Sequence, residues 1–137
     1  MANYKKSLEL SKEHLDEGEE IVASIFGAYE AEMMGHKTLR NGVLLATSKR
    51  IFFYGKKLFG YETETFPYQK ISSIEAKKGL LGHSLKFFTS NNKVSMKMIN
   101  EGDVEGFLKY VREVVQDNWN YLAVKIKIWT LSTETGL

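Results

Sequence analysis

The sequence predicts a mainly β domain: seven antiparallel strands in a meander, closed by a C-terminal helix, with an extra helix before the sheet and an extra strand after it. Two observations support this. Between residues 21 and 99, apolar and polar residues alternate in short segments, which is the period of a strand. At residues 103–115 a helical spacing replaces that alternation. The chain of 137 residues is long enough for one domain with its own core.

The first predicted element is a short amphipathic helix at residues 3–17. Tyr4, Leu8 and Leu15 fall at helical spacings among charged residues and precede Gly18. Three apolar positions give this helix a small face for docking. From residue 21 onward the period changes to two.

Seven strands follow, four of them before Pro67. Pro67 has no N–H to donate and suits the start or the edge of a strand. Turn residues, among them Ser48, Gly55 and the pair Asn91 and Asn92, separate the segments. The predicted strands span residues 21–34, 42–47, 50–54, 58–66, 71–76, 84–89 and 93–99.

The clearest helix begins near Asn100, which we predict as its N-cap. Acidic residues in the first turn suit the positive end of the helix dipole. Six apolar residues share one face: Val104, Phe107, Leu108, Val111, Val114 and Val115. This face predicts a helix that plugs an open end of the sheet.

The last patterned segment, residues 122–131, predicts a strand with one buried face. One side would carry Leu122, Val124, Ile126 and Ile128, and the other Ala123, Lys125, Lys127 and Trp129. An exposed edge of this kind aggregates unless it is paired. This strand could pair with the sheet of its own chain or be exchanged between subunits, and the sequence does not distinguish the two. We therefore predict an oligomer contact at Val124, Ile126, Ile128 and Trp129. The predicted divisions are a helix at 1–18, a domain at 19–117 and a strand extension at 118–137.

Composition excludes several kinds of chemistry. The chain has no Cys, so thiolate nucleophiles, disulfides and Cys-ligated metals are excluded. His14, His36 and His83 are far apart in sequence, and no nucleotide-binding, hydrolase or zinc-protease motif occurs. We expect no enzyme activity, no cofactor and no metal. No secretory leader or membrane-length apolar run is present, so we expect a cytoplasmic protein, with the inner membrane face as an alternative site.

Three segments resemble the short bacterial pleckstrin-homology (PH)-like domains of the YokE-like group. They are GVLLATSKRIFFYGKKLFG at 42–60, FPYQKISSIEAKKGLLG at 66–82 and the helix at 103–115. The resemblance covers roughly residues 20–117. It implies a PH-like barrel closed by a C-terminal helix, a family without known enzymes, and some relatives that form rings of subunits.

Charge is segregated along the chain although the net formal charge is only +2. Residues 1–34 carry a net −5, residues 35–100 carry +9, and residues 101–137 carry −2. The acidic flanks either neutralise the basic barrel within the fold or leave it free for an anionic partner.

The resemblance to PH domains implies a position for that partner. PH domains that bind phosphoinositides use the loops after the first, third and sixth strands. Here those loops carry Lys37, Arg40, Lys56, Lys57 and Lys93. The family's basic motif is not matched, because Met34-Gly35-His36 and Leu39-Arg40-Asn41 occupy its positions, so specific phosphoinositide binding is not expected.

We therefore predict a non-catalytic binding or scaffold module. Self-assembly into a homo-oligomer or contact with a protein partner is the first hypothesis, and docking on anionic phospholipid is the alternative. Aromatic residues interleave with basic ones in RIFFYGKKLFGY, as on surfaces that bind single-stranded nucleic acid. Alternate aromatics of a barrel strand face its interior, so core packing is the favoured explanation and nucleic acid is not an expected partner.

Overall fold

The computed structural model describes residues 3–90 and 92–134. It contains two α-helices, seven β-strands and one 3-10 turn. In chain order they are α1 (Tyr4–Lys12), β1 (Ile21–Met33), β2 (His36–Thr47), β3 (Arg50–Lys56), β4 (Tyr61–Pro67), the 3-10 turn (Tyr68–Lys70), β5 (Ser73–Gly79), β6 (Gly82–Thr89), β7 (Asn92–Gly102) and α2 (Val104–Glu134).

The seven strands form one antiparallel sheet in the order β4-β3-β2-β1-β7-β6-β5. The sheet curls so strongly that its two halves face each other: the ring of Phe66 on β4 meets that of Phe87 on β6 edge-on, with centroids 5.1 Å apart. Between the halves lies the main core, to which every strand contributes. The predicted β class and seven-stranded antiparallel architecture are confirmed.

A second, smaller core lies on the outer face of the β2–β3 hairpin. Val43, Leu45, Phe52 and Tyr54 are buried there beneath α1 and the turn that follows it. The three apolar residues of the predicted N-terminal helix pack on them: Tyr4 and Leu8 from α1, and Leu15 from the turn after it. The helix itself ends at Lys12 rather than near residue 17, and its N-cap is Asn3, whose side chain accepts a hydrogen bond from the Lys6 N–H.

The aromatic run of β3 is divided between these two cores. Phe53 points into the main core and stacks on Tyr29, with ring centroids 3.7 Å apart. Phe52 and Tyr54 point the other way, towards α1. Side chains alternate across a strand, so this run contributes to packing on both faces of the sheet. All three rings are buried and therefore offer no stacking surface to nucleic-acid bases.

Most strand boundaries shift from those predicted. β2 begins at His36, so the β1–β2 hairpin is longer than expected, and β4 begins at Tyr61 after a turn at residues 57–60. β7 continues through Gly102 and pairs with β1 there. Asn100 is consequently a strand residue, and the prediction that it caps the helix was wrong.

The N-cap of α2 is Asp103, whose carboxylate accepts a hydrogen bond from the Gly106 N–H at 2.9 Å. Gly102 precedes it with φ +104°, and a Cβ at that position would collide with the backbone of Ser24 and Ile25. Only glycine allows the chain to turn from β7 into α2 at this point. Phe107, Val111 and Val115 then bury their side chains against the sheet, as predicted.

The predicted C-terminal strand at residues 122–131 is wrong, because these residues continue α2. No glycine or proline interrupts the chain between Gly106 and Gly136. A helix already nucleated on the sheet therefore extends at little cost, whereas a strand would need an edge to pair with. The predicted strand extension at 118–137 is helical as far as residue 134, and residues 135–137 lie outside the described part of the chain.

Candidate functional site

The most conspicuous surface is the second half of α2, residues 116–134, which we call the α2 extension. The 31 residues of α2 make a rod of about 46 Å, and only its first part covers the sheet. Eight large apolar side chains of the extension are exposed: Trp119, Tyr121, Leu122, Val124, Ile126, Ile128, Trp129 and Leu131.

These eight side chains form two stripes on opposite sides of the helix. Helical geometry places residues three and four apart on one face. The Trp stripe consists of Trp119, Leu122, Ile126 and Trp129, and the Tyr stripe consists of Tyr121, Val124, Ile128 and Leu131. Lys125 and Lys127 lie between the stripes.

The Trp stripe continues the face by which α2 packs on the sheet. Phe107, Val111 and Val115 lie on that face and are buried, whereas Trp119 and Trp129 farther along are 57% and 68% exposed. Where α2 leaves the sheet, a cavity of about 240 Å³ opens between the helix and the 3-10 turn, bounded by Tyr68, Val115, Trp119 and Leu122 among others. The face is thus apolar over its whole length and covered over only part of it.

The four residues predicted as an oligomer contact are all exposed, but they do not form one face. As a strand, Val124, Ile126 and Ile128 would have shared a side. In the helix, Ile126 lies on the Trp stripe with Trp129, while Val124 and Ile128 lie on the Tyr stripe. Trp119 and Leu122 complete the Trp stripe; Leu122 begins the segment predicted as the contact, whereas Trp119 lies outside it, although its three-residue spacing from Leu122 is visible in the sequence.

A second surface is the loop rim, which we define as the turns after β1, β3 and β6 at one end of the sheet. The antiparallel order brings these three turns to the same end. Their tips expose apolar residues beside lysines: Met34 is 94%, Leu58 91% and Phe59 86% exposed. Lys56 and Lys57 immediately precede the last two.

The basic residues predicted for an anionic partner differ in availability. Lys37 pairs with Glu30 at 2.6 Å, and Arg40 pairs with Glu62 at 2.9 Å. Hydrogen bonds from Lys37 and Lys97 lower the pKa of Glu30. Within residues 3–90 and 92–134, Lys56, Lys57 and Lys93 have no carboxylate at ion-pairing distance.

Lys93 also belongs to a group of lysines that sequence reasoning missed. The outer face of β5–β7 carries a shallow pocket of about 180 Å³ floored by Ser84 and Ser95. Lys77, Lys86, Lys93 and Lys97 surround it, with Glu75 bound to Lys86 at 2.8 Å. The alternation of Lys93, Ser95 and Lys97 along β7 is the signal that would have placed them on one face.

The acidic segment after α1 neutralises the opposite end of the sheet. Asp16 and Glu19 approach Lys49 and Arg50 in the β2–β3 turn, at 3.8 Å and 2.9 Å. Burial alone would raise the pKa of Glu19, but hydrogen bonds from Arg50, Thr47 and the Asp16 N–H outweigh it and lower the pKa to about 2. Part of the charge segregation in the sequence is therefore internal pairing.

The histidines form no metal site in the part of the chain that is described, where no three His, Asp or Glu side chains gather in a way that could hold an ion. His14 instead packs against aromatic rings, with its centroid 4.6 Å from Tyr61 and 5.4 Å from Tyr54. It belongs to the contact between α1 and the outer face of the sheet.

A family model described as a bacterial PH domain matches residues 15–113. The chain belongs to the bacterial PH domain family. Among solved structures, the PH domain of USP37 is similar to it at 13% identity with a TM-score of 0.52, covering 69% of this chain and 97% of that one. The C-terminal domain of an unknown protein from Leishmania infantum matches at 16% identity with a TM-score of 0.51, covering 85% and 98%. No curated protein matches this bacterial PH domain in sequence.

PH domains generally act as binding modules for proteins or lipids rather than as catalysts. The family match ends at residue 113, before the α2 extension begins. Neither α1 nor the described part of α2 has an apolar stretch that could cross a membrane. The domain boundaries predicted at residues 18 and 117 remain predictions.

Proposed function

We propose that this bacterial PH domain is a non-catalytic scaffold that assembles with itself through the α2 extension. The observation that carries the proposal is the set of eight exposed large apolar side chains on a helix that projects beyond its own domain. Exposed apolar stripes of this length on a folded protein mark a contact site. The four residues predicted as a contact, Val124, Ile126, Ile128 and Trp129, all lie in this extension, on a helix rather than a strand.

The α2 extension is less stable alone than in contact with a partner. A lone helix of this length is marginal in water, and its residues beyond Val115 pack on little else in the described chain. Full burial of each large apolar side chain contributes about 1.5 to 3 kcal/mol, so covering even half of the exposed set would sustain a specific association. We infer a cytoplasmic protein that works as an assembly unit.

Multi-angle light scattering over a dilution series tests this function. The full chain should have a mass above that of one chain at high concentration and should dissociate on dilution. A chain ending at Asp117 should remain monomeric, with near-ultraviolet circular dichroism confirming that its core is intact. A full chain that is monomeric throughout the series would contradict the proposal.

A second candidate function is reversible docking on anionic phospholipid through the loop rim. It is favoured by the exposed Leu58 and Phe59, which directly follow Lys56 and Lys57 at a hairpin tip. Apolar tips can enter the interfacial region of a bilayer, while each nearby lysine contributes about 1 kcal/mol at an anionic surface. Lys93, beside the turn between β6 and β7, adds to the positive charge of the same rim.

Liposome sedimentation distinguishes this candidate, and the chain offers a matched control. The β5–β6 turn at the opposite end also carries two lysines and two exposed leucines, Lys77, Lys78, Leu80 and Leu81. Binding to vesicles rich in phosphatidylserine should fall with salt and with Lys56→Glu plus Lys57→Glu, but much less with Lys77→Glu plus Lys78→Glu. Equal effects of the two double substitutions, or no binding to the vesicles at all, would exclude docking through the loop rim.

A further inference from the structure

We propose that the Trp stripe pairs with the same stripe of a second copy, in an antiparallel helix pair whose two-fold axis lies between the two helices at the level of residue 124. This inference rests on the proposed function and adds to it the face, the direction and the register of the contact. Of the Tyr stripe, only Tyr121, which lines the cavity at the base of the extension, borders this pair.

The spacing of the Trp stripe is self-complementary. Its residues follow one another at intervals of three, four and three, which read the same in both directions. In an antiparallel pair centred on residue 124, Trp119 faces Trp129 of the second copy and Leu122 faces Ile126. These are layers of the heptad type, in which apolar side chains interdigitate between helices. A symmetric dimer requires a surface that complements itself in this way.

The cavity at the base of the extension lies where this register places an indole of the second copy. Trp119 and Leu122 form part of its wall, together with Tyr68 and Val115. Centring on residue 124 brings Trp129 of the second copy opposite Trp119, at the mouth of the cavity. The cavity of about 240 Å³ offers that indole an apolar site against the domain itself. The pair therefore extends the face on which α2 already packs.

The flanks of the Trp stripe carry little charge to oppose this pairing. Asn118 and Thr130 are uncharged, and Ala123 is small enough to allow close approach. Lys125 is the one cation that borders the stripe within the described extension, and its ammonium lies 5.3 Å from the centre of the Tyr121 ring, on the side of the Tyr stripe. It therefore points away from the contact.

A second copy fits the extension better than a membrane surface does. A helix that lies in a membrane interface has one apolar face and a basic face opposite it. Here the face opposite the Trp stripe is the apolar Tyr stripe, and the lysines lie between the two. The extension therefore lacks the basic face that would hold such a helix against anionic lipid headgroups.

The first test compares two matched substitutions, Ile126→Ser on the Trp stripe and Ile128→Ser on the Tyr stripe. The two isoleucines are 64% and 59% exposed in the same helix, so the two substitutions should have similar effects on the stability of the single chain. In sedimentation equilibrium, Ile126→Ser should raise the dimer dissociation constant by about tenfold or more, because each dimer loses two buried isoleucines. Ile128→Ser should change it by less than about threefold.

The second test determines direction and uses the absence of cysteine from the chain. Trp119→Cys and Trp129→Cys are made in separate full-length chains. Each variant by itself, and a mixture of the two, is treated with a short thiol cross-linker. The antiparallel pair predicts cross-linked dimers in the mixture only. Cysteines at the same residue number in the two copies would be about 15 Å apart along the helix axis, whereas residue 119 of one copy faces residue 129 of the other. One Trp119–Trp129 layer stays intact in the mixed dimer.

The outcomes separate this inference from the function on which it rests. A full chain that never associates contradicts both. Association that both serine variants weaken equally, or cross-links within either cysteine variant alone, overturns the antiparallel Trp-stripe pair but leaves self-assembly standing. Association without any cross-link in the mixture has the same meaning.

Discussion

Glu19 and Arg50 form a two-pronged ion pair, in which Nε and a terminal nitrogen of the guanidinium each donate to a different carboxylate oxygen at 2.9 Å. The Glu19 carboxylate is buried and also accepts hydrogen bonds from Thr47 and the Asp16 N–H. Arg50 reaches the His14 carbonyl oxygen as well. The pair thus fastens the segment after α1 to the β2–β3 turn and positions α1 over the outer core.

This pair predicts a loss of stability in acid. The pKa of Glu19 is about 2 in the folded chain and 4.5 as the ordinary value. Because the pKa is lower in the folded chain, the ionised Glu19 stabilises the fold at any pH above 4.5. This contribution to the free energy of unfolding, roughly 3 kcal/mol, is lost as the pH falls from 4.5 towards 2. Urea unfolding across this range should show a smaller pH dependence for Glu19→Gln, which starts less stable at neutral pH.

The neighbouring Glu20 provides the control for that experiment. It is exposed and its carboxylate makes no ion pair with a described residue, so Glu20→Gln should retain the acid dependence of the original chain. If Glu19→Gln and Glu20→Gln gave the same slope of unfolding free energy against pH, the ion pair would not be the source of the acid sensitivity.

The strands could be predicted from the sequence because burial imposes a period of two on them. Phe52, Phe53 and Tyr54 are all buried, yet on alternate faces, and glycines such as Gly35 and Gly60 mark two of the turns between strands. Boundaries were less predictable, since pairing partners decide where a strand ends. β7 runs on to Gly102 because β1 is there to pair with it.

The α2 extension was misread because its sequence satisfies two periods at once. Leu122, Val124, Ile126 and Ile128 alternate as in a strand, but two stripes on opposite faces of a helix produce the same alternation. β-branched residues favoured the strand. What decided the outcome is the uninterrupted helix before them, anchored by Phe107 and Val111. The lysine face of β5–β7 was missed because residues on three strands meet only in the folded sheet.

Gly42 is required where β2 passes β3. A Cβ there would collide with the Tyr54 carbonyl oxygen and lie 2.7 Å from the Phe53 ring. Gly42→Ala should therefore destabilise the fold by about 2 kcal/mol or more, measured by chemical unfolding. Gly79→Ala is the control: its nearest neighbour would be 3.5 Å away, and the expected change is within about 0.5 kcal/mol. A loss at Gly42→Ala as small as that of the control would mean that β2 and β3 move apart to accommodate the methyl group.

Tyr29 donates a hydrogen bond to a Glu64 carboxylate oxygen at 2.6 Å while its ring stacks on Phe53. Burial, and then the hydrogen bond to Glu64, raise the pKa of Tyr29, so it remains a donor at any ordinary pH. Tyr29→Phe keeps the stack but removes the donor, and should lower the free energy of unfolding by about 1 to 2 kcal/mol. An unchanged unfolding midpoint would show that water replaces the hydroxyl at Glu64.

Intrinsic fluorescence should report the pairing of α2 without any label, because the two tryptophans of the chain are Trp119 and Trp129, both on the Trp stripe. In the single chain both indoles are more than half exposed, and burial between helices shifts tryptophan emission to shorter wavelength. Emission should therefore move to the blue as protein concentration rises, over the range in which the mass increases. Ile126→Ser should move that transition to higher concentration and Ile128→Ser should not. Emission that is independent of concentration while the mass increases would place the contact away from the Trp stripe.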